Sequence, residues 1–246
     1  IFESQVKKTP NNKAVTYEGE SLTYQTLNTK ANQVAHQLRR NGVKPNSLVG
    51  VMTNRNLEMI VGIYGVLKAG GAYVPIDPEY PSERINYILR DSKPNTLLTD
   101  RALSTSIEFN QSVINLVENK SISIQPTKNL SHVTSISDLM CIIYTSGTTG
   151  KPKGVKITFK GVMNNLNRRI KRFGISSKDN ILFKMPFTFD PSIWELFGWA
   201  MVGAQATLLP SGKEGNSEVI TSLIHTSKVS LAVFVPSMFN PFIHYI

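Results

Sequence analysis

Short apolar runs alternate with longer amphipathic segments through much of the chain, and this alternation limits its fold more than any other feature. Residues 47–53, 72–76 and 96–99 are short and nearly continuous in apolar character, which is typical of strands buried on both faces. Residues 57–67 and 83–91 lie between them and have the length and spacing of helices. The sequence therefore predicts an α/β fold of mostly parallel sheets covered by helices.

The composition narrows the class of protein. With 246 residues, of which 41% are hydrophobic and 9% aromatic, the chain can form a sizeable core. Its apolar runs are all shorter than the ~18 residues that span a bilayer, so we expect no membrane partner. The first residues, Ile1–Gln5, lack the pattern of a secretion signal, and the chain does not begin with Met. We therefore expect a piece of a longer, cytoplasmic polypeptide.

The formal charge of +10 permits attraction to anionic substrates or to nucleic acid. The densest basic cluster falls in a predicted helix, 160–173, whose apolar stripe is Val162, Leu166, Ile170 and Phe173. Aromatic residues are not interleaved with the cluster, so a solvated helix face is favoured over a nucleic-acid interface. A basic nucleic-acid-binding protein remains the alternative from a different functional class. The cluster comprises Arg168, Arg169, Lys171 and Arg172.

Cys141 is the single cysteine of the chain, and it cannot form an internal disulfide. A chain without disulfides favours a reducing compartment such as the cytoplasm. Because Cys141 lies within an apolar run, we expect a buried core residue and not a nucleophile. The four histidines are far apart in sequence, so we expect no metal site formed by this chain alone; they are His36, His132, His225 and His244.

A loop rich in glycine and hydroxyl groups follows the apolar run 139–144, and residues 154–159 after it alternate like a second strand. Gly147 and Gly150 permit positive φ angles, so that backbone N–H groups can converge on one point. Hydroxyl groups and two lysines add further donors, and such an array suits a polyphosphate. An ordinary hairpin loop is the alternative. The candidate phosphate-binding residues are Thr145, Ser146, Gly147, Thr148, Thr149, Gly150, Lys151 and Lys153.

This loop differs from the P-loop of nucleotide triphosphatases. The P-loop pattern requires glycine five residues before the second glycine, where this chain has Thr145. Pro152 directly follows Lys151, so a helix does not obviously begin there as it does after a P-loop. The sequence instead predicts a loop that joins two strands.

A second candidate site lies at Asp190-Pro191, where two explanations are open. Asp is a good helix N-cap and Pro is favoured at the first helical position, so Asp190 can simply begin a helix. Alternatively, Asp190 and Trp194, four residues apart, share one side of the helix start. A carboxylate beside an aromatic wall can bind an ammonium group and discriminate against substrates that lack one.

The segment Tyr-Thr-Ser-Gly-Thr-Thr-Gly-Lys-Pro-Lys-Gly, residues 144–154, is similar to the phosphate loop of the adenylate-forming enzymes. Three further segments resemble the adenylation domains of nonribosomal peptide synthetases in the same order along the chain, so the resemblance covers nearly the whole chain. They are Leu22–Tyr24 with Leu27-Asn28 and Ala31-Asn32, Leu67–Pro78, and Phe189–Phe197.

The resemblance implies a function and a set of partners. It implies that ATP and an α-amino acid react to form aminoacyl-AMP and pyrophosphate, and that the aminoacyl group then passes to the phosphopantetheine thiol of a carrier domain. A condensation domain would belong to the same synthetase, and Mg²⁺ would accompany ATP. By resemblance, Asp190 binds the α-ammonium group, while Pro191, Trp194 and Val233 line the side-chain pocket.

The chain departs from the pattern in one main respect. The later motifs of such domains, including a magnesium-binding carboxylate and the catalytic lysine, have no counterpart in it, so no catalytic residue is assigned. We interpret residues 1–246 as the incomplete N-terminal core of an adenylation domain, inactive alone, with a lobe junction near 119–138. A stand-alone acyl- or aryl-acid ligase of the same superfamily is the other alternative.

Overall fold

The computed structural model describes residues 1–146 and 151–246, and these form two sheets with helices packed around them. The strands are β1 Lys13–Tyr17, β2 Glu20–Thr23, β3 Leu48–Met52, β4 Ala72–Ile76, β5 Thr96–Thr99, β6 Ser112–Asn115, β7 Leu139–Thr145, β8 Lys153–Thr158, β9 Asn180–Phe183 and β10 Gln205–Leu208. The helices are α1 Phe2–Lys8, α2 Tyr24–Arg40, α3 Leu57–Ala69, α4 Ser82–Ser92, α5 Lys120–Ser123, α6 Phe159–Phe173, α7 Ser192–Phe197, α8 Ser217–Ser227 and α9 Pro236–Tyr245.

Both sheets are mainly parallel, which confirms the predicted fold class. In the first sheet, the described strands follow the order β2-β1-β10-β9, and only the β1–β2 pair is antiparallel. In the second, the order is β6-β5-β3-β4-β7-β8, and only the β7–β8 pair is antiparallel. Each sheet thus ends in one antiparallel edge pair, as mixed α/β sheets often do.

The main core lies between the two sheets, where α2 and α3 pack together. Five apolar residues of α2 recur at three and four positions, which predicts one buried face, and all five are buried: Leu27, Ala31, Val34, Ala35 and Leu38. Thr23 caps this helix by accepting a hydrogen bond from the Thr26 N–H, and threonine is among the residues preferred at this position. Helix α3 is buried almost all round because it lies between layers, which explains its nearly continuous apolar sequence.

Segment 119–138 runs along α2 and is fastened to it by polar side chains. Asn32 Nδ2 donates to the Thr127 carbonyl at 2.7 Å and to Asn129 Oδ1 at 2.9 Å, and Asn28 Nδ2 donates to the same Asn129 oxygen at 2.9 Å. Arg39 Nη2 donates to the Ser131 carbonyl at 2.6 Å. The two asparagines therefore have a structural role in one helix face. Whether this segment is also a lobe junction stays a prediction.

Some sequence-based predictions are wrong in detail. The apolar run 231–234 predicts a strand, but in the part of the chain that the structure describes it is reduced to one bridging residue, Leu231, which pairs with Ile181. The sequence does not predict helix α9, which begins at Pro236. Phe173, assigned to the apolar stripe of α6, is the last residue of that helix and is 59% exposed. Val162 and Leu166 of the same stripe are buried.

Candidate functional site

The predicted phosphate loop connects the antiparallel strands β7 and β8, as its sequence predicts. Thr145 lies opposite Lys153 at the mouth of this hairpin, and Tyr144 lies opposite Gly154. Thr145, Ser146, Lys151 and Lys153 are exposed, so their hydroxyl and ammonium groups are open to solvent. The other candidate phosphate-binding residues, Gly147, Thr148, Thr149 and Gly150, lie outside the described residues.

Gly154 is required by the close packing of this hairpin. A Cβ atom at this position would lie 2.9 Å from Ile142 Cγ2 and 3.2 Å from Tyr144 Cζ. The Tyr144 ring therefore occupies the space beside Gly154, and the Tyr144 hydroxyl donates to Asp91 Oδ2 of α4 at 2.6 Å. Burial, followed by the bond to Asp91, raises the pKa of Tyr144, so this tyrosine remains a neutral donor.

One segment, from Tyr80 to Tyr87, contacts both candidate regions. The Tyr87 hydroxyl donates to the Pro152 carbonyl at 3.0 Å and so holds the second arm of the β7–β8 loop. The Tyr80 hydroxyl donates to Thr188 Oγ1 at 3.1 Å, two residues before Asp190. Residues 80–87, which lead into α4 and form its first half, therefore contact both the phosphate-loop candidate and the Asp190 loop, although the two are far apart in sequence.

Asp190 and Trp194 stand at the start of α7, but their environments differ. Asp190 is exposed, whereas Trp194 is only 3% exposed and lies beneath the Arg169 guanidinium, 5.9 Å from its ring centroid. Pro191 is the N-cap, and α7 begins at Ser192. Among the described residues α7 has no side-chain capping bond, so Asp190 does not cap this helix through its carboxylate. Its carbonyl accepts the Ile193 N–H at 3.1 Å and begins the turn that leads into α7. The role of the Asp190 side chain stays a prediction.

Val233 is half-buried against the main core in the segment that follows Leu231. This segment runs beside β9, since the Leu182 N–H donates to the Leu231 carbonyl at 2.9 Å. The neighbouring Phe234 ring lies 4.2 Å from Lys184 Nζ. Lys184 directly follows β9, so the structure joins the Val233 segment to the start of the loop that carries Asp190.

Arg55 was not predicted from the sequence, although it links the two sheets. It follows β3 of the second sheet and is 3% exposed. Its guanidinium donates to the carbonyls of Leu209 at 2.5 Å, Lys184 at 2.8 Å and Met185 at 3.1 Å, and it pairs with the Glu214 carboxylate. Arg55 thus holds the ends of β9 and β10 of the first sheet.

Glu195 and Lys184 are fully buried ionisable residues beside Arg55. Burial raises the pKa of Glu195 to about 7, and burial lowers the pKa of Lys184. The carboxylate of Glu195 accepts from the backbone N–H groups of Lys184 and Met185 at 2.9 and 2.7 Å. The one sequence signal of this arrangement is a glutamate between apolar neighbours, Trp194 and Leu196, in a short helix.

The donor set at the hairpin mouth fits a polyphosphate, since hydroxyl and ammonium groups are strong donors to phosphate oxygens. The described residues do not fit a metal ion in the same way, because no group of three His, Cys, Asp or Glu side chains is clustered among them. Cys141 is buried as predicted, and burial raises the pKa of its thiol to about 12. No helix in the described part of the chain is both long and apolar enough to cross a membrane.

Comparison with known proteins places these features in a family. The family described as AMP-binding enzyme matches residues 2–245. One of the mycosubtilin synthase subunits of Bacillus subtilis is 46% identical over 99% of this chain and 9% of its own length. Zwittermicin A synthase ZmaJ of Bacillus cereus is 43% identical over 100% of this chain and 47% of its own length. The chain therefore spans less than half the length of these two relatives.

A solved structure of the nonribosomal peptide synthetase FmoA3 (S1046A), in its α-methyl-L-serine-AMP bound form, superposes with a TM-score of 0.92. It is 29% identical, and the match covers 99% of this chain and 27% of that one. The fold therefore agrees with that part of the synthetase over nearly all of the present chain. With its two mainly parallel sheets and donor-rich hairpin, the chain belongs to the AMP-binding enzyme family.

Proposed function

We propose that this chain is the N-terminal part of an adenylation domain that activates an α-amino acid in nonribosomal peptide synthesis. The main observation in its favour is that one segment, residues 80–87, contacts both candidate sites. Tyr87 holds the Pro152 arm of the donor-rich hairpin, and Tyr80 holds Thr188 beside Asp190. A polyphosphate site and an ammonium site held by one segment match a reaction that combines ATP with an amino acid.

The reaction joins the two substrates at phosphorus. A carboxylate oxygen of the amino acid forms a bond to the α-phosphorus of ATP, the bond to the β-phosphate oxygen breaks, and pyrophosphate leaves. Catalysis of such a transfer consists mainly of positioning and of neutralising charge. In our proposal the residues from Thr145 to Lys153 donate to the β- and γ-phosphates, and the two lysines of that loop offset the charge of the leaving pyrophosphate.

Asp190 would select the substrate by its amine. An exposed carboxylate at the rim of the β9–α7 loop can accept a charge-assisted bond from an α-ammonium group. Acyl or aryl acids lack this group, and a site built around the bond would discriminate against them. The half-buried Val233 and the helix start at Pro191 and Trp194 would form the wall of the side-chain pocket.

The finer parts of the proposal concern groups outside the described residues. Mg²⁺ would bind with ATP, and its carboxylate ligand would come from elsewhere in the polypeptide, since the described residues hold no metal cluster. The aminoacyl group would pass to a phosphopantetheine thiol on a carrier domain, next to a condensation domain. Two of the relatives are synthases or synthase subunits much longer than this chain, which supports a multidomain setting.

Amino-acid-dependent exchange of labelled pyrophosphate into ATP tests the proposal. The assay would use the full natural polypeptide that carries this chain, screened over the common amino acids, with the Asp190→Ala variant beside it. We expect exchange with one or a few amino acids and its loss in the variant. Exchange with aryl or fatty acids only would instead establish an acyl or aryl ligase, and the assignment of Asp190 would be wrong.

A second measurement tests whether the 246-residue chain is active by itself. We expect the isolated 246-residue chain to form no adenylate, because no residue in it takes the role of the catalytic lysine implied by the resemblance. Adenylate formation by this chain alone would contradict that assignment.

A further inference from the structure

The loop between β9 and α7 is closed by a carboxylate from the helix that follows it. Glu195 Oε2 accepts hydrogen bonds from the Lys184 N–H at 2.9 Å and from the Met185 N–H at 2.7 Å. The glutamate is fully buried, so water does not compete for these two bonds. The beginning and the end of the loop are therefore joined by one side chain.

Short-range hydrogen bonds fix the rest of this loop between its closed ends. The Ser192 hydroxyl donates to the Phe189 carbonyl at 2.5 Å, and the Phe189 N–H donates to the Pro186 carbonyl at 3.0 Å. The Ile193 N–H donates to the Asp190 carbonyl at 3.1 Å. The backbone at Asp190 thus lies in a series of tight turns, and the position of the series is set by the closure at its two ends.

Stability alone does not explain a glutamate at this place. Its Oε1 atom is buried without a partner among the described residues, and burial of a polar group is costly unless the group is hydrogen-bonded. An apolar residue of similar volume would avoid this cost and would complete the apolar surroundings of α7. The gain that offsets the cost is the fixed geometry of the loop.

We propose that Glu195 is a positioning residue for Asp190, which it places at the substrate site by binding the backbone of Lys184 and Met185. This inference rests on the proposed function, in which Asp190 binds the α-ammonium group of the substrate. Glu195 itself is enclosed by protein and acts only through the backbone. Its expected effect is therefore on selection of the amine, while binding of ATP at the β7–β8 hairpin is unchanged.

Discrimination between an amino acid and its α-hydroxy counterpart measures this effect directly. The two substrates differ only in the group that Asp190 would bind. The ratio of their kcat/KM values in pyrophosphate exchange, measured with the full natural polypeptide, reports the placement of the carboxylate. We expect Asp190→Ala to abolish most of the preference for the amine, since a site that bonds a polar group rejects analogues without it.

Two substitutions at Glu195 then give opposite results. Glu195→Met fills a similar volume but removes the acceptor, and we expect it to lower the ratio by at least about tenfold, with the KM for ATP unchanged. Glu195→Gln keeps an amide oxygen that can accept both N–H groups, and we expect it to stay within about threefold of the unsubstituted protein. A ratio retained in Glu195→Gln would show that the hydrogen-bond acceptor of residue 195 positions Asp190.

Leu196→Ala is the matched control for general damage to α7. Leu196 is fully buried in the same helix, and its aliphatic side chain takes no part in the closing hydrogen bonds, so we expect its truncation to lower stability without removing them. A ratio unchanged in Glu195→Met, or lowered equally in Leu196→Ala at the same loss of stability, would overturn the inference. If Glu195→Met does not fold, Glu195→Asp takes its place. Its side chain is one methylene group shorter, so its carboxylate lies farther from the two N–H groups, and the same change in the kcat/KM ratio is expected.

The Asp190→Ala variant distinguishes a failure of the proposed role of Asp190 from a failure of the proposed role of Glu195. If it leaves the ratio unchanged, the proposed role of Asp190 is wrong and the role of Glu195 is wrong with it. If it lowers the ratio while the Glu195 variants do not, the proposed function stands and the inference about Glu195 alone is rejected.

Discussion

Arg55 Nη1 lies 2.8 Å from the carbonyl oxygen of Lys184, and this bond joins the end of β9 in one sheet to the residues after β3 in the other. The same guanidinium donates to Leu209 at the end of β10. The two sheets are therefore connected through backbone atoms next to the candidate substrate loop, and we expect this connection to matter for stability.

Arg55→Met should be strongly destabilising. The substitution leaves several buried carbonyl oxygens without a donor and removes the partner of Glu214, so we expect the free energy of unfolding to fall by about 3 kcal/mol or more. Urea unfolding of the 246-residue chain measures this loss. Arg90→Met is the control, because Arg90 is 63% exposed in its pair with Glu108 and should contribute less than about 1 kcal/mol. Equal losses in the two variants would contradict the role of Arg55.

Glu195 should make stability depend on pH in a defined interval. Burial raises its pKa from 4.5 to about 7, so the folded state keeps a proton that the unfolded state releases between these values. The stability that the neutral form contributes is complete below the unfolded pKa and is lost as pH rises through the folded pKa. A shift of this size corresponds to about 3 kcal/mol.

The measurement compares the chain with Glu195→Gln, which does not titrate. We expect the difference in free energy of unfolding, unsubstituted minus variant, to decrease by about 2–3 kcal/mol between about pH 5 and pH 8. Lys184 and Arg55 face the carboxylate, and both oppose the rise in its pKa. A difference that is flat or that increases with pH would show that Glu195 is charged throughout.

Tyr80 and Tyr87 should affect different substrates. Tyr87→Phe removes the donor to the Pro152 carbonyl, and we expect the KM for ATP to rise by about threefold to tenfold. Tyr80→Phe removes the donor to Thr188 and should raise the KM for the amino acid to a similar extent. Each variant is the other's control in pyrophosphate exchange with the full natural polypeptide. A common rise in both KM values from either variant would indicate general loosening of α4.

Gly154→Ala should weaken the β7–β8 hairpin, because the added Cβ would lie 2.9 Å from Ile142 and 3.2 Å from the Tyr144 ring. We expect the free energy of unfolding to fall by about 1–3 kcal/mol, as in other overpacked sites. Gly161→Ala is the matched control in α6, where the nearest atom is the Thr158 hydroxyl at 3.8 Å. Alanine is a better helix former than glycine, so this control should raise stability slightly. Thermal unfolding measures both changes, and an equal or higher stability in Gly154→Ala would contradict the close packing inferred at this glycine.

Local patterns predicted most of the elements. The strands β3 to β5, helices α3 and α4, and the hairpin around the donor-rich loop all follow from spacing within a few residues. The predicted strand at 231–234 failed for a physical reason. Its apolar pattern is real, but among the described residues only Leu231 pairs with a neighbouring strand before α9 begins at Pro236.

The candidate site was only partly predictable. The exposed hydroxyls and lysines of the hairpin, and the carboxylate of Asp190, are visible in the sequence because their residue types suggest the chemistry. Arg55, Tyr87 and Glu195 are not visible in this way, since their roles arise from backbone atoms that long-range folding brings to them. Nearly all residue types offer the same backbone N–H and C=O groups. The partners of such hydrogen bonds therefore cannot be recognised from the sequence.

The closure of the β9–α7 loop by Glu195 also bears on how such a domain can change its substrate. The closing bonds involve main-chain N–H groups, which every residue except proline possesses. Side chains within the loop and at the start of α7, such as those of Pro191 and Trp194, take no part in these bonds. If Asp190 binds the amino group as proposed, the residues at Pro191 and Trp194 can be exchanged by mutation while its carboxylate stays in place. New side-chain selectivity can then evolve without loss of recognition of the amino group.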